Sequence, residues 1–288
     1  MILVAGGSGQ VGKWVAALGG SEVATFSSAE LDLTNAGLVR DVVSDLKPEW
    51  VINCAAHTAV DAAESEPDRA NLINVTGAEN LARTCASLDA RLVHLSTDYV
   101  FGETAVLTEP LGEDHPCAPL SAYGRTKLGG ERAVRSTMPQ ATIVRTAWVY
   151  TGPARSKLEL PGSDFVTTML ELEKSHDSLT VVDDQIGSPT FARDLAAGLL
   201  ELVDSRAGAG RTLHAAGGGR ASWCDLARAV FEEVGADPAR VQPCSTKMFP
   251  RPAPRPAFSV LSSKAWEAEG LTPLRHWRSA VHTAVSRS

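Results

Sequence analysis

Tyr123 and Lys127 stand four residues apart in Ser121-Ala122-Tyr123-Gly124-Arg125-Thr126-Lys127-Leu128. On a helix that spacing puts both side chains on one face, one turn apart. A phenol beside an ammonium ionises more readily, because its anion gains an opposite charge. Such a tyrosine gives or takes a proton near neutral pH, well below its free value of about 10. The same spacing also fits a surface helix with an ordinary aromatic, so the elements around it must decide. Thr97 ends the apolar run Leu92-Val93-His94-Leu95-Ser96 and is either a reactive hydroxyl at a strand's C-terminal end or a plain polar strand end.

What positions these groups begins at the N-terminus. The run Ile2-Leu3-Val4-Ala5 is followed at once by Gly6, Gly9 and Gly12 in GxxGxxG spacing. This reads as a buried strand, a tight turn and a helix start, with the second glycine admitting a pyrophosphate and the third allowing close helix–strand packing. The second strand, over 22–26, ends at Ser27 and Ser28, with no carboxylate before Glu30. Two hydroxyls suit a 2′-phosphate, so NADPH is expected ahead of NADH. Asp32, followed by Leu33, either reaches the adenine region or caps the next helix, over about 35–46. A third strand over 50–56 ends in small residues, including Ala55 and Ala56, that leave room for a cofactor. His57 and Thr58 continue into a loop, where the histidine is expected to contact backbone or solvent rather than act as a base. A helix is expected over 70–88, with Asn74 pointing in, and a proline- and acid-rich loop over 103–120. Another helix follows to about 136, then a strand over 141–146.

This alternation predicts an α/β fold, a doubly wound parallel sheet of the Rossmann type; a smaller C-terminal α/β domain, expected to bind substrate, follows it. Residues 1–148 plus about 179–216 are assigned to the first domain, and about 149–178 plus 217–288 to the second. Strands over 179–182 and 212–215 are expected, with helices over 165–174, 192–203, 221–234 (capped by Ser222) and 274–285. Arg251-Pro252-Ala253-Pro254-Arg255-Pro256 is a stiff extended loop. Its two arginines either clamp an anionic ligand or face solvent.

Composition narrows the class. With 288 residues, 44% of them apolar, the chain can bury a substantial core, and its net charge of −7 argues against nucleic-acid binding. The five cysteines are odd in number and scattered without metal-ligand spacing, as in a cytoplasmic protein with reduced thiols. No apolar run approaches signal-peptide or membrane-spanning length.

Gly6-x-x-Gly9-x-x-Gly12, Thr97 and Tyr123-x-x-x-Lys127 together resemble the extended short-chain dehydrogenases/reductases. Longer stretches resemble, nearly end to end, the dTDP-4-dehydrorhamnose reductase family: 55–61 (AAHTAVD), 96–101 (STDYVF), 123–128 (YGRTKL), 145–150 (RTAWVY), 184–190 (DQIGSPT) and the Arg-Pro loop at 251–256. The resemblance implies reduction of the C4 ketone of a dTDP-4-dehydro sugar. Tyr123 would give the proton, Lys127 would lower the tyrosine pKa and bind the nicotinamide ribose, and Thr97 would hold the reacting oxygen. The cofactor set is then Gly6, Gly9, Gln10, Val11, Gly12, Ser27, Asp32, Leu33, Ala55, Ala56, His57, Thr58, Tyr123 and Lys127. The substrate set is Thr97, Asp98, Trp148 and Arg255. A nucleotide sugar is the implied ligand, and a homodimer is left open. Some relatives hold magnesium at a dimer contact, but Lys13, Trp14 and Arg193 stand where acidic ligands would be needed, so no metal is expected. Gly102 and Phe258 depart from the family's usual aspartate and asparagine. Two alternatives remain: a reductase for another dTDP-4-keto-6-deoxy sugar, or a non-catalytic regulatory relative, which intact Thr97, Tyr123 and Lys127 argue against.

Overall fold

Six short, largely apolar strands lie side by side, all parallel, in the order 212–214, 142–146, 91–97, 50–53, 2–5 and 23–26. The computed structural model describes residues 1–102, 104 and 107–286. Its first half runs β1 (Ile2–Ala5), α1 (Gln10–Gly19), β2 (Val23–Phe26), α2 (Ala36–Leu46), β3 (Trp50–Asn53), α3 (Ala62–Ser65), α4 (Pro67–Asn71), a π-helix (Leu72–Gly77), α5 (Ala78–Ser87), β4 (Arg91–Thr97), α6 (Ala122–Thr137) and β5 (Thr142–Thr146). Then come β6 (Val149–Tyr150), α7 (Phe165–Ser175), β7 (Leu179–Val182), β8 (Ile186–Gly187), β9 (Thr190–Phe191), α8 (Ala192–Ser205), β10 (Thr212–His214), β11 (Ala221–Ser222), α9 (Trp223–Glu233), β12 (Val241–Cys244), α10 (Lys264–Ala268) and α11 (Trp277–Ser286).

β1, β3 and β5 are buried along their whole length, as expected of strands covered on both faces. On one face Val4, Ile52 and Val144 pack with Val15 of α1 and Leu195, Leu199 and Leu202 of α8. On the other, Leu3 and Val51 pack with Val39 and Val43 of α2 and Leu81 and Cys85 of α5. The strand order reverses direction at β1, between β2 and β3, so a crevice opens beyond the carboxyl ends of β1 and β3.

Three expectations are corrected. The strand 179–182 does not join the parallel sheet: β7 pairs with β12, and Leu179 and Val181 pack with α9 and α11, which places it with the C-terminal elements. Conversely Trp266, Leu271 and Leu274 fold back onto the core of the parallel sheet. The helix expected over 70–88 is a composite in which Leu72–Gly77 forms a π-helix. No helix among the described residues is long and apolar enough to cross a membrane.

Candidate active site

α6 starts at Ala122 because two of its first amides find partners there. Ser121 Oγ accepts from the Gly124 amide at 3.1 Å, and Glu64 Oε1 accepts from the Ala122 amide at 2.7 Å. Two amides that a helix start leaves without partners are thereby satisfied. That register turns Tyr123 and Lys127 inward, and both are buried. Lys127 Nζ donates to the Leu95 carbonyl at 2.6 Å, two residues before Thr97 on the same strand. The Thr97 hydroxyl donates to Asp98 Oδ1 at 3.0 Å and accepts from the Tyr99 amide at 3.2 Å, and it lines the same cleft as Tyr123. Tyr99 meets the Tyr123 ring edge-on, at 5.4 Å between centroids.

The electrostatics differ from the simple sequence expectation. Burial pushes the Tyr123 phenol up to about 12, while the Thr97 side chain pulls it down and Asp98 pushes it further up. Burial also pulls Lys127 down to about 8, against the pull of Glu131 and Cys54. Asp98 is raised to about 6 by burial, opposed by hydrogen bonds from Ser259 and Thr97. The cleft therefore holds a phenol that keeps its proton at neutral pH.

The glycine turn has the form a dinucleotide needs. Gly6 has a φ of +81°, and a Cβ there would lie 2.6 Å from the Ala55 amide nitrogen; a Cβ on Gly12 would lie 2.5 Å from the Gly6 carbonyl oxygen. Only glycine permits both approaches. Gly9, the N-cap of α1, lends no side-chain cap, so the first-turn amides are left for an anion. Gln10, Val11, Ala56 and Thr58 line a cleft of about 410 Å³ together with Thr97, Tyr123, Lys127 and Trp148. Ala55 and His57 belong to the same β3 loop, and the His57 amide donates to Asn74 Oδ1 at 2.8 Å.

Asn74 was not among the expected site residues. Its Nδ2 donates to Thr126 Oγ1 at 2.9 Å, and Thr126 in turn donates to the Tyr123 carbonyl at 2.9 Å. One side chain thus joins the loop after β3 to α6, and it does so from the π-helix, a distortion that often marks functional positions.

Other expected residues are placed differently. The Ser27 amide and hydroxyl both donate to Glu30 Oε2, at 2.8 and 2.7 Å, so a carboxylate does sit at the end of β2. Asp32 accepts from Thr34 and does not cap α2; Asn35 does, accepting from Leu38. Leu33 is buried in the core beneath α2. Arg255 forms a two-pronged ion pair with Asp61, at 2.5 and 3.0 Å, and holds that carboxyl below its usual range. It latches the Arg-Pro loop onto the β3 loop instead of standing free as an anion clamp. Arg251 lines an adjoining cavity of about 860 Å³ with Phe249 and Trp223. No cluster of three metal-ligating side chains occurs among the described residues, and Arg193 lies over the Trp14 ring at 5.9 Å.

A parallel sheet with a glycine turn at its crevice, and a buried Tyr-x-x-x-Lys beside a strand-end threonine, define a nicotinamide-dependent reductase of the short-chain type. The model of the RmlD substrate binding domain family matches residues 1–288. A dTDP-4-dehydrorhamnose reductase of Mycolicibacterium smegmatis is 48% identical over 99% of this chain and 85% of its own. A probable dTDP-4,6-dihydroxy-2-methyloxan-3-one 4-ketoreductase of Streptomyces antibioticus is 44% identical over 98% of this chain and 93% of its own. The crystal structure of dTDP-4-dehydrorhamnose reductase from Bacillus anthracis in complex with NADP superposes with a TM-score of 0.90, at 33% identity, over 100% of this chain and 99% of that one. The chain belongs to the dTDP-4-dehydrorhamnose reductase family.

Proposed function

We propose that this protein reduces the C4 ketone of dTDP-4-dehydro-L-rhamnose to give dTDP-L-rhamnose. The observation that carries this is the buried Tyr123 phenol, one helical turn from Lys127 and lining one cleft with Thr97 beside the glycine turn. A nicotinamide cofactor on that turn supplies hydride to the carbonyl carbon. Tyr123 gives its proton to the carbonyl oxygen, and its raised pKa suits this direction, because the phenol arrives protonated at neutral pH. Thr97 holds the same oxygen. The Lys127 ammonium stabilises the phenolate left behind, which takes its next proton from solvent. Asp98 and Trp148 contact the sugar, and Arg255 orders the loop that borders it.

The Bacillus anthracis relative carries NADP, which supports NADPH. Glu30, whose carboxyl is held ionised by Ser27, disfavours a 2′-phosphate and suits the free ribose hydroxyl. This protein is therefore read as using NADPH and NADH both. A cytoplasmic enzyme, alone or as a homodimer, is part of the reading. A second reading, reduction of another dTDP-4-keto-6-deoxy sugar, is favoured by the Streptomyces antibioticus relative. Incubation with each keto sugar and either cofactor, followed by cofactor absorbance, tests both. Oxidation of cofactor with neither sugar would refute them.

A further inference from the structure

Two indoles are stacked at the edge of the catalytic cleft. Trp148 follows β5 with a φ of +46°, in the left-handed region where a bulky residue is strained. Its ring lies so close to Gly187 that a Cβ there would come within 2.4 Å of the indole. Trp223 stacks on it, with 3.6 Å between centroids and 4° between planes. Trp223 is itself fixed at the start of α9, where Ser222 and Asp225 form a capping box. Its Nε1 donates to Gln185 Oε1 at 3.1 Å, and Gln185 Nε2 donates to Thr246 Oγ1 at 2.9 Å. Thr246 opens the segment that leads to Arg255. Trp223 lines both the catalytic cleft and the larger adjoining cavity.

We propose that Trp223 is a positioning residue for the sugar end of the substrate, setting the plane of Trp148 across the cleft and tying that plane through Gln185 to the loop at 245–256. The proposal rests on the reading that Trp148 contacts the sugar. A strained backbone persists only where its surroundings hold it. Here the Gly187 gap and the Trp223 ring hold it, and removing Trp223 lets the indole leave the plane.

The test compares Trp223→Leu, Trp223→Phe and Trp148→Phe with the unaltered protein. Trp223→Leu is expected to raise the KM for the keto sugar about fivefold, the scale of one aromatic pair, and to lower kcat. Cofactor Kd stays unchanged, and Trp223→Phe recovers most of the loss. The far-ultraviolet exciton couplet of the stacked indoles disappears in both the Leu and the Trp148→Phe variants. Unchanged sugar kinetics in Trp223→Leu would overturn the proposal. So would a loss of cofactor affinity and melting temperature in step with the KM, since that marks a packing role alone. If the unaltered protein reduces neither keto sugar, the reductase reading fails separately. Quenching of tryptophan fluorescence by a dTDP-sugar then decides the role of Trp223: a midpoint unchanged in Trp223→Leu overturns it, and a weakened one sustains it.

Discussion

Asp98→Asn is expected to make the protein more stable and less active. Asp98 is 1% exposed and accepts from Thr97 Oγ1 at 3.0 Å, a contact an asparagine oxygen can keep. Burial raises its pKa from 3.8 to about 6. Below 3.8 the carboxyl is neutral in both the folded and unfolded chains. As pH rises, the unfolded chain ionises first, so stability falls until pH passes the folded value of about 6 and then levels off. A rise of about two pKa units corresponds to about 3 kcal/mol once both states are ionised, and only about 1 kcal/mol is felt at about pH 4.5. Urea unfolding of both proteins at about pH 4.5 and pH 7.5 reads the difference. The variant should gain about 1 kcal/mol at the lower pH and about 3 kcal/mol at the higher. An equal gain at both, or a loss at neutral pH, would refute the assignment of a buried, destabilising carboxylate. Reduced turnover in the stabilised variant would show that the charge is retained for function.

Tyr123→Phe should lower kcat by about 10²- to 10⁴-fold with cofactor Kd unchanged, as measured by steady-state kinetics and titration; near-normal turnover would remove the proton donor. Lys127→Met should weaken both cofactor binding and turnover. Because the lysine's folded pKa of about 8 lies below its unfolded value of 10.5, its burial penalty is full below pH 8 and is relieved as pH rises toward 10.5. The unaltered protein should therefore gain stability relative to Lys127→Met across that window, and a parallel pH dependence would contradict this. Glu30→Ala should raise the preference for NADPH over NADH about tenfold, read as the ratio of kcat/KM values; an unchanged ratio would show that Glu30 serves only the Ser27 turn.

The parts of the site that were legible in the sequence are those whose geometry is local. Gly6, Gly9 and Gly12 make one turn, and Tyr123 and Lys127 share one helix, so spacing alone carries them. The Ser27–Glu30 contact was equally local and was missed, although its S-x-x-E spacing is a known reciprocal-capping pattern. What lay beyond reach depends on partners far along the chain. Asp61 meets Arg255 across 194 residues, and β7 finds β12 rather than the main sheet. A π-helix at 72–77 has no period that distinguishes it from the α-helix around it, so the inward reach of Asn74 could be anticipated but not its bond to Thr126. The tyrosine pKa failed for a physical reason: the sequence shows a lysine four residues away but not the burial that raises the phenol.

The most direct test is reduction of dTDP-4-dehydro-L-rhamnose with cofactor carrying deuterium at the transferred position, with the product read by NMR. A single deuterium at C4 of dTDP-L-rhamnose, formed by the unaltered protein and lost with Tyr123→Phe, is the predicted result. Deuterium at another carbon, no transfer at all, or transfer undiminished without the Tyr123 hydroxyl would contradict the account.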